Sequence, residues 1–142
     1  GWSDRANGVI AGLSMSSTPA DILRAAMEAV AYRFAAIADL LEEAFPGRKE
    51  VIATGGGLLG SRVWAGITAD VLGTGLTLSG VREASSRGAA LLALEALGEL
   101  EVEDAEIPRQ ETLEPDASRH EAYRRALERQ LELYERLVAR PL

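Results

Sequence analysis

Apolar positions along the chain recur with two different periods, and the period switches at glycine and proline punctuation. Gly8 to Leu13 (GVIAGL) is a short apolar run closed by the stretch Ser14 to Thr18, and it reads as a buried strand or tight extended turn. Thr18, Pro19 and Asp21 then mark a helix start: a hydroxyl for an orphan backbone N–H, a proline suited to the first position, and an acid at the positive end of the dipole. Leu23, Met27, Val30, Phe34, Ile37 and Leu41 draw one apolar stripe along a helix from Ala20 to about Ala44. At about 1.5 Å per residue it would be over roughly 35 Å long, a scaffold element that Phe45-Pro46-Gly47 stops.

Glu50 to Thr54 reads as a buried parallel strand, bounded by charge on one side and glycines on the other. Val63, Trp64, Ile67, Val71 and Leu72 lie at helical spacing from a start near Ser61, and Gly73 is placed to end that helix in a left-handed cap. Leu76-Thr77-Leu78 is the next strand. Ser85 and Ser86 can cap a helix whose body, Ala89 to Leu97, is apolar on every side; this predicts burial on both faces, with Gly98 closing its end. Glu99 to Ser118 is acidic, carries Pro108 and Pro115, and has little periodicity, so it is expected to be a surface connector. His120 to Arg140 closes the chain as an amphipathic helix with Tyr123, Leu127, Leu131 (or Gln130), Tyr134 and Val138 on one face. Strand, helix, strand, helix in the middle implies a right-handed parallel crossover inside an α/β sandwich, with no internal repeat.

The 142 residues make one domain's worth of chain, and a composition 47% hydrophobic but only 5% aromatic predicts a core of aliphatic residues and alanine. The net charge of -7 repels a phosphate backbone, so no nucleic-acid partner is expected. With no cysteine and a single histidine, His120, disulfides, thiolate nucleophiles and cysteine or histidine-cluster metal sites drop out. No apolar run approaches the roughly 18 to 20 residues that span a bilayer, and Gly1-Trp2-Ser3-Asp4 does not begin a signal peptide. No membrane partner and a cytoplasmic setting are therefore expected. A polar start without Met reads as a piece cut from a longer chain.

Thr54-Gly55-Gly56-Gly57-Leu58-Leu59-Gly60-Ser61 sits between a strand and a helix, where backbone N–H groups and the helix dipole converge. Gly55, Gly57 and Gly60 satisfy the dinucleotide pattern G-x-G-x-x-G, yet the carboxylate needed about 20 positions on is absent from Leu76 to Gly80. A Walker loop fails because Ser61-Arg62 stands where Lys-Ser or Lys-Thr is required. The residues alone leave three readings: a turn that binds nothing, a nucleotide cradle, or a dinucleotide fold.

Three ordered blocks add a resemblance. Gly8-x-Ile10-x-Gly12-Leu13 followed by Asp21-Ile22-x-x-Ala25-Ala26-Met27-Glu28 resembles the signature of the FGGY carbohydrate kinases. Ala53 to Gly57 with Ser61, Trp64 and Ala69-Asp70-Val71-Leu72-Gly73 is similar to that family's nucleotide-binding segment, as is Glu83-Ala84-Ser85-Ser86-Arg87-Gly88-Ala89-Ala90. The resemblance runs from Trp2 to Leu137 and implies part of the second lobe of a two-lobed, ribonuclease-H-like (actin-like) ATPase: a mixed sheet with flanking helices. It further implies ATP and Mg²⁺ as cofactors and a sugar or polyol substrate held mainly by the N-terminal lobe. By matching positions, Gly55, Gly56 and Gly57 would lie near the α-phosphate and ribose, with Gly60 and Ser61 near the adenine.

On this reading residues 1–100 are the nucleotide-binding portion, 101–118 an acidic connector and 119–142 a terminal helix. No carboxylate here matches the family's catalytic base, so the chain alone is expected to be inactive. The lobe's first strands are expected to be missing, leaving a free sheet edge at Gly8 to Leu13. Trp64 is expected in core packing rather than against an adenine, Glu83 at a helix cap rather than against the ligand, Arg87 in a surface pair, Gly88 at a close helix contact, and His120 isolated on an exposed helix. Trp2, Asp4 and Arg5 are candidates for a loop near the cleft. The charged face from Glu121 to Arg136 reads as solvated, with helix-spaced ion pairs. The alternatives are a dinucleotide-binding oxidoreductase domain and a non-catalytic interaction fragment that pairs with another chain, a second copy included.

Overall fold

A computed structural model describes residues 8–47 and 50–139. Trp2, Asp4 and Arg5, and the side chain of Val138, lie outside the described residues. Helix α1 spans Pro19–Ala44. The Asp21 N–H donates to the Thr18 hydroxyl, as the local sequence predicts, and the Thr18 N–H also donates to the Asp21 carboxylate, so two orphan donors are satisfied reciprocally. Strand β1 (Val51–Ala53) leads into a single helical turn, α2 (Gly56–Leu59), and then α3 (Arg62–Leu72). Strand β2 (Leu76–Ser79), α4 (Ala84–Ala96), a 3₁₀ turn (Val102–Asp104), β3 (Arg109–Leu113) and α5 (Ala117–Tyr134) complete the order, with a π turn at Glu135–Ala139.

The sheet runs β1-β2-β3. β1 and β2 are parallel, with Val51 opposite Leu76 and Ala53 opposite Leu78, as the strand-helix-strand pattern predicts. β3 is antiparallel to β2, pairing Leu113 with Leu76 and Thr112 with Thr77. All four residues of the central strand β2 are buried, because it has neighbours on both edges. α3 separates two apolar clusters. Ala65 and Ala69 pack toward Ala53, Leu76 and Leu78 of the sheet, while Ile67 and Val71 pack toward Ala31, Tyr32 and Ala35 of α1 and Tyr123 and Leu127 of α5. The Tyr32 and Tyr123 rings meet edge to face, centroids 6.1 Å apart.

Five expectations change. Gly8 to Leu13 forms no strand, so among the described residues the sheet's two edges are β1 and β3. The stretch 101–118 is more than a connector, since it holds β3; Arg-Gln-Glu-Thr-Leu shows no apolar alternation because it sits on a sheet edge with four of its five residues exposed. The α1 stripe does not point into the core: Phe34 (40% exposed), Ile37 (49%) and Leu41 (47%) face outward, because the small side chains Ala31 and Ala35 let that other face approach α3 and α5 closely. The helix enclosed on several sides is α3 and not α4, which has no buried residue and leaves Leu92 and Leu97 exposed. α4 packs mainly against the 3₁₀ turn, where Glu95 accepts the Val102 N–H. Gly88 meets nothing within 4 Å of where a Cβ would stand, so it permits no close helix contact among the described residues.

Titration brackets the stability of this arrangement. The Thr18 hydroxyl beside Asp21, the Arg109 guanidinium beside Glu50 and the Ser118 hydroxyl beside Asp116 hold these three carboxyls below the usual carboxylate range. A lowered acid contributes stability that is complete above its unfolded value and is lost as pH falls through and below about 4. Burial, assisted by the Glu28 charge, pushes Tyr32 up to about 12. A raised acid contributes stability that is complete below its unfolded value, so Tyr32's share is lost as pH climbs beyond about 10. Thermal melts should give a Tm that falls as pH drops below about 4 and again as it climbs beyond about 10; a Tm unchanged on both flanks would contradict these assignments.

Candidate functional site

The glycine turn follows directly from the end of β1. Ala53 is buried against α3, Thr54 is exposed, and Gly55 takes φ 88° and ψ 150°, a conformation essentially closed to residues with a Cβ. The chain then closes one turn of helix: the Leu59 N–H donates to the Gly55 carbonyl at 3.1 Å and the Gly60 N–H to the Gly56 carbonyl at 2.9 Å. Leu58 and Leu59 pack against the sheet-side cluster and anchor the turn from below. No side chain caps α2, so the N–H groups of Gly56, Gly57 and Leu58, which precede the first intrahelical bond, have no cap.

The four glycines have different reasons to be glycine. Gly55 needs its positive φ. A Cβ on Gly57 would stand 2.9 Å from Cζ3 of Trp64, and one on Gly60 would stand 2.6 Å from the Gly56 carbonyl oxygen. Gly56 has no such requirement: its Cβ direction is open, with nothing within 4 Å. A bare, exposed backbone position at the start of an uncapped turn is what lets a ligand come close.

Ser61, expected near a bound base, acts as the N-cap of α3, its hydroxyl accepting the Trp64 N–H at 3.2 Å. Trp64 is half-buried and belongs to neither apolar cluster, so the core packing expected of it is only partial; it donates its indole N–H to the Met27 carbonyl of α1 at 3.0 Å. Because β1 and β2 are parallel, the turn after β1 and the segment Gly80 to Glu83 after β2 leave the same end of the sheet. That carboxyl end is where open α/β sheets bind ligands. Glu83 occupies the N-cap of α4 but makes no side-chain cap bond, and Arg87 donates to the Glu106 carbonyl at 2.7 Å, the surface pairing expected of it. Where a dinucleotide fold needs a carboxylate, the structure has Ser79, whose hydroxyl accepts the Val81 N–H at 3.1 Å.

Among the described residues, no group of three or more His, Cys, Asp or Glu is placed to hold a metal ion, and no helix is long and apolar enough to cross a membrane. His120 is not isolated. Its Nδ1 donates to the Asp70 carbonyl at 2.9 Å and its ring lies over Gly73, while the buried Asp70 carboxylate accepts the Asp116 N–H at 2.8 Å and Arg119 Nη1 at 3.1 Å. This cluster ties the end of α3 to the start of α5; it is structural and lies outside the turn. A mainly apolar cleft of about 610 Å³ opens between the outward face of α1 and β1, lined by Phe34, Ile37, Leu41 and Ile52 and reaching Thr54 and Leu58 of the glycine turn.

Residues 1–97 match the profile of the C-terminal domain of the FGGY family of carbohydrate kinases. The chain is 35% identical over 97 residues to a glycerol kinase of Mycobacterium tuberculosis, covering 68% of this chain and 19% of that protein. It is 34% identical over 122 residues to an apulose kinase of Pectobacterium atrosepticum, covering 84% of this chain and 25% of that one. Among solved structures, a xylulose kinase from Rhodospirillum rubrum superimposes with a TM-score of 0.77 at 32% identity, over 94% of this chain and 28% of the kinase. The chain thus spans between a fifth and three tenths of the length of these relatives.

Proposed function

Because the chain belongs to the FGGY family of carbohydrate kinases, as part of their C-terminal domain, we propose that it forms the nucleotide-binding side of an ATP-dependent sugar or polyol kinase. The turn Gly55–Ser61 is the site. The uncapped N–H groups at Gly56 and Gly57 would face the α-phosphate and ribose, with Gly60 and Ser61 on the adenine side. The observation that carries the reading is the open direction at Gly56, which neither packing nor backbone geometry explains. A Plasmodium falciparum glycerol kinase solved with ADP shares the fold at a TM-score of 0.67.

In the reaction, an acceptor hydroxyl on a sugar, ketose or sugar acid gives up its proton to a carboxylate base as its oxygen attacks the γ-phosphorus. The bond to the β-phosphate oxygen breaks and ADP remains on the glycine turn. This chain's part is to bind and orient the nucleotide. Mg²⁺ would enter with the nucleotide and supply charge neutralisation at its phosphates. The base and most sugar contacts are assigned to the N-terminal lobe, so this chain alone is expected to transfer nothing. ATP chemistry on sugars fits a cytoplasmic setting.

Calorimetric titration with Mg·ADP tests the reading, with NAD as parallel ligand and Gly56→Asp as variant. The aspartate points into open space, so the fold should survive while its charge opposes the phosphates. ADP affinity should drop at least about tenfold, roughly 1.4 kcal/mol, with the Tm unchanged. Binding of NAD alone, or equal ADP affinity in the variant, would overturn it.

A second reading rests on the free β1 edge beside exposed Phe34, Ile37 and Leu41. An unpaired edge next to an apolar face favours strand pairing between copies. Sedimentation velocity should then show a size that rises with concentration, whereas a monomer at every concentration would dismiss it.

A further inference from the structure

Trp64 makes more contacts than core packing requires. Its backbone N–H is held by the Ser61 hydroxyl at 3.2 Å, and its carbonyl accepts the hydroxyl of buried Thr68 at 2.9 Å, so the main chain at this point of α3 is fixed on both sides. Its indole N–H reaches across to α1 and donates to the Met27 carbonyl at 3.0 Å. That bond pins the ring orientation, and the pinned six-membered ring fills the space beside Gly57, with Cζ3 at 2.9 Å and Cε3 and Cη2 at 3.7 Å from where a Cβ would stand. The ring is thus a rigid spacer between the longest helix and the back of the glycine turn. Gly57 backs on the indole while Gly56, one residue earlier, opens outward.

We infer that Trp64 is the positioning residue of the nucleotide turn: it touches no nucleotide itself but sets the height and tilt at which the Gly56 and Gly57 N–H groups are presented. The inference deepens the nucleotide reading and rests on it for its link to affinity. Its structural half, the bracing of the turn, stands on the contacts alone. A misplacement of N–H donors by a fraction of an ångström weakens an anion site because hydrogen-bond strength falls steeply with distance and angle.

The test compares Trp64→Phe, which keeps a ring beside Gly57 and loses the N–H, with Trp64→Leu, which loses the ring. Amide hydrogen exchange is read at Leu59, Gly60 and Ser61, whose N–H groups are bonded within the turn. In Trp64→Leu these amides should exchange at least about tenfold faster, while those of β2 and α5 keep their rates. Mg·ADP affinity should fall at least about fivefold in the same variant, and Trp64→Phe should recover most of both losses. Gly57→Ala supplies a further readout, because its penalty should shrink when combined with Trp64→Leu. Unchanged exchange at the turn in a folded Trp64→Leu, or a Gly57→Ala penalty that is the same in both backgrounds, overturns the inference whatever ADP does. A loosened turn that still binds ADP as tightly as the native chain also overturns it. If the native chain binds no ADP, the nucleotide reading fails, while exchange at the turn still decides whether Trp64 braces it.

Discussion

Asp70→Ala is expected to lower stability by about 3 kcal/mol and the Tm by about 10 °C. The carboxylate is only 4% exposed as a residue, and it accepts the backbone N–H of Asp116, the residue that caps α5. A charged acceptor lost beneath a part-buried N–H leaves that donor unsatisfied, which accounts for most of the cost. The Arg119 ion pair adds less, because the guanidinium side chain is 63% exposed and solvent screens it. Asp70→Asn keeps an oxygen at the Asp116 N–H and should cost only about 1 kcal/mol. Chemical denaturation of both variants checks this: a loss below about 1 kcal/mol for alanine would show that α5 is held by its apolar face alone, and equal large losses would show that the charge, and not the acceptor oxygen, carries the cost.

Gly73→Ala is expected to cost about 2 to 3 kcal/mol for two independent reasons. Gly73 ends α3 at φ 66° and ψ 23°, a left-handed conformation in which a Cβ adds about 1 to 2 kcal/mol of strain. That Cβ would also stand 2.4 Å from Cε1 of His120, forcing the imidazole out and breaking its bond to the Asp70 carbonyl. Placing Gly73→Ala in a His120→Ala background separates the two. The glycine substitution should then cost only its left-handed share, so the pair of changes is less than additive. Strict additivity would show that the ring does not occupy the space above Gly73.

Local chemistry made the caps and the turn legible in the sequence. Thr18 with Asp21, Ser61 before α3 and Gly73 after it all act within a few residues of themselves, and the glycine turn between β1 and α3 is announced by its own composition. What escaped is tertiary. The α1 stripe is real, but its placement depends on Ala31 and Ala35, residues that carry little pattern and yet allow the closest approach. β3 has no apolar signal; it is held by paired strand hydrogen bonds, by the Thr77 and Thr112 hydroxyls 3.0 Å apart, and by a two-bond Arg109–Glu50 pair at 2.8 Å. His120 looked isolated because Asp70, its partner, lies fifty residues away in sequence. The same distance in kind, though not in length, hid the role of Trp64, since helical spacing marked it as buried without saying that its ring backs onto Gly57.

An amide correlation spectrum of the isotopically labelled chain titrated with Mg·ADP decides whether the turn after β1 holds a nucleotide. Saturable shifts are expected at Gly55, Gly56, Gly57, Leu58 and Gly60, with the α5 amides from Arg124 to Leu133 unmoved. Shifts confined to any other surface, or none at the glycine turn at saturating ADP, would contradict nucleotide binding there.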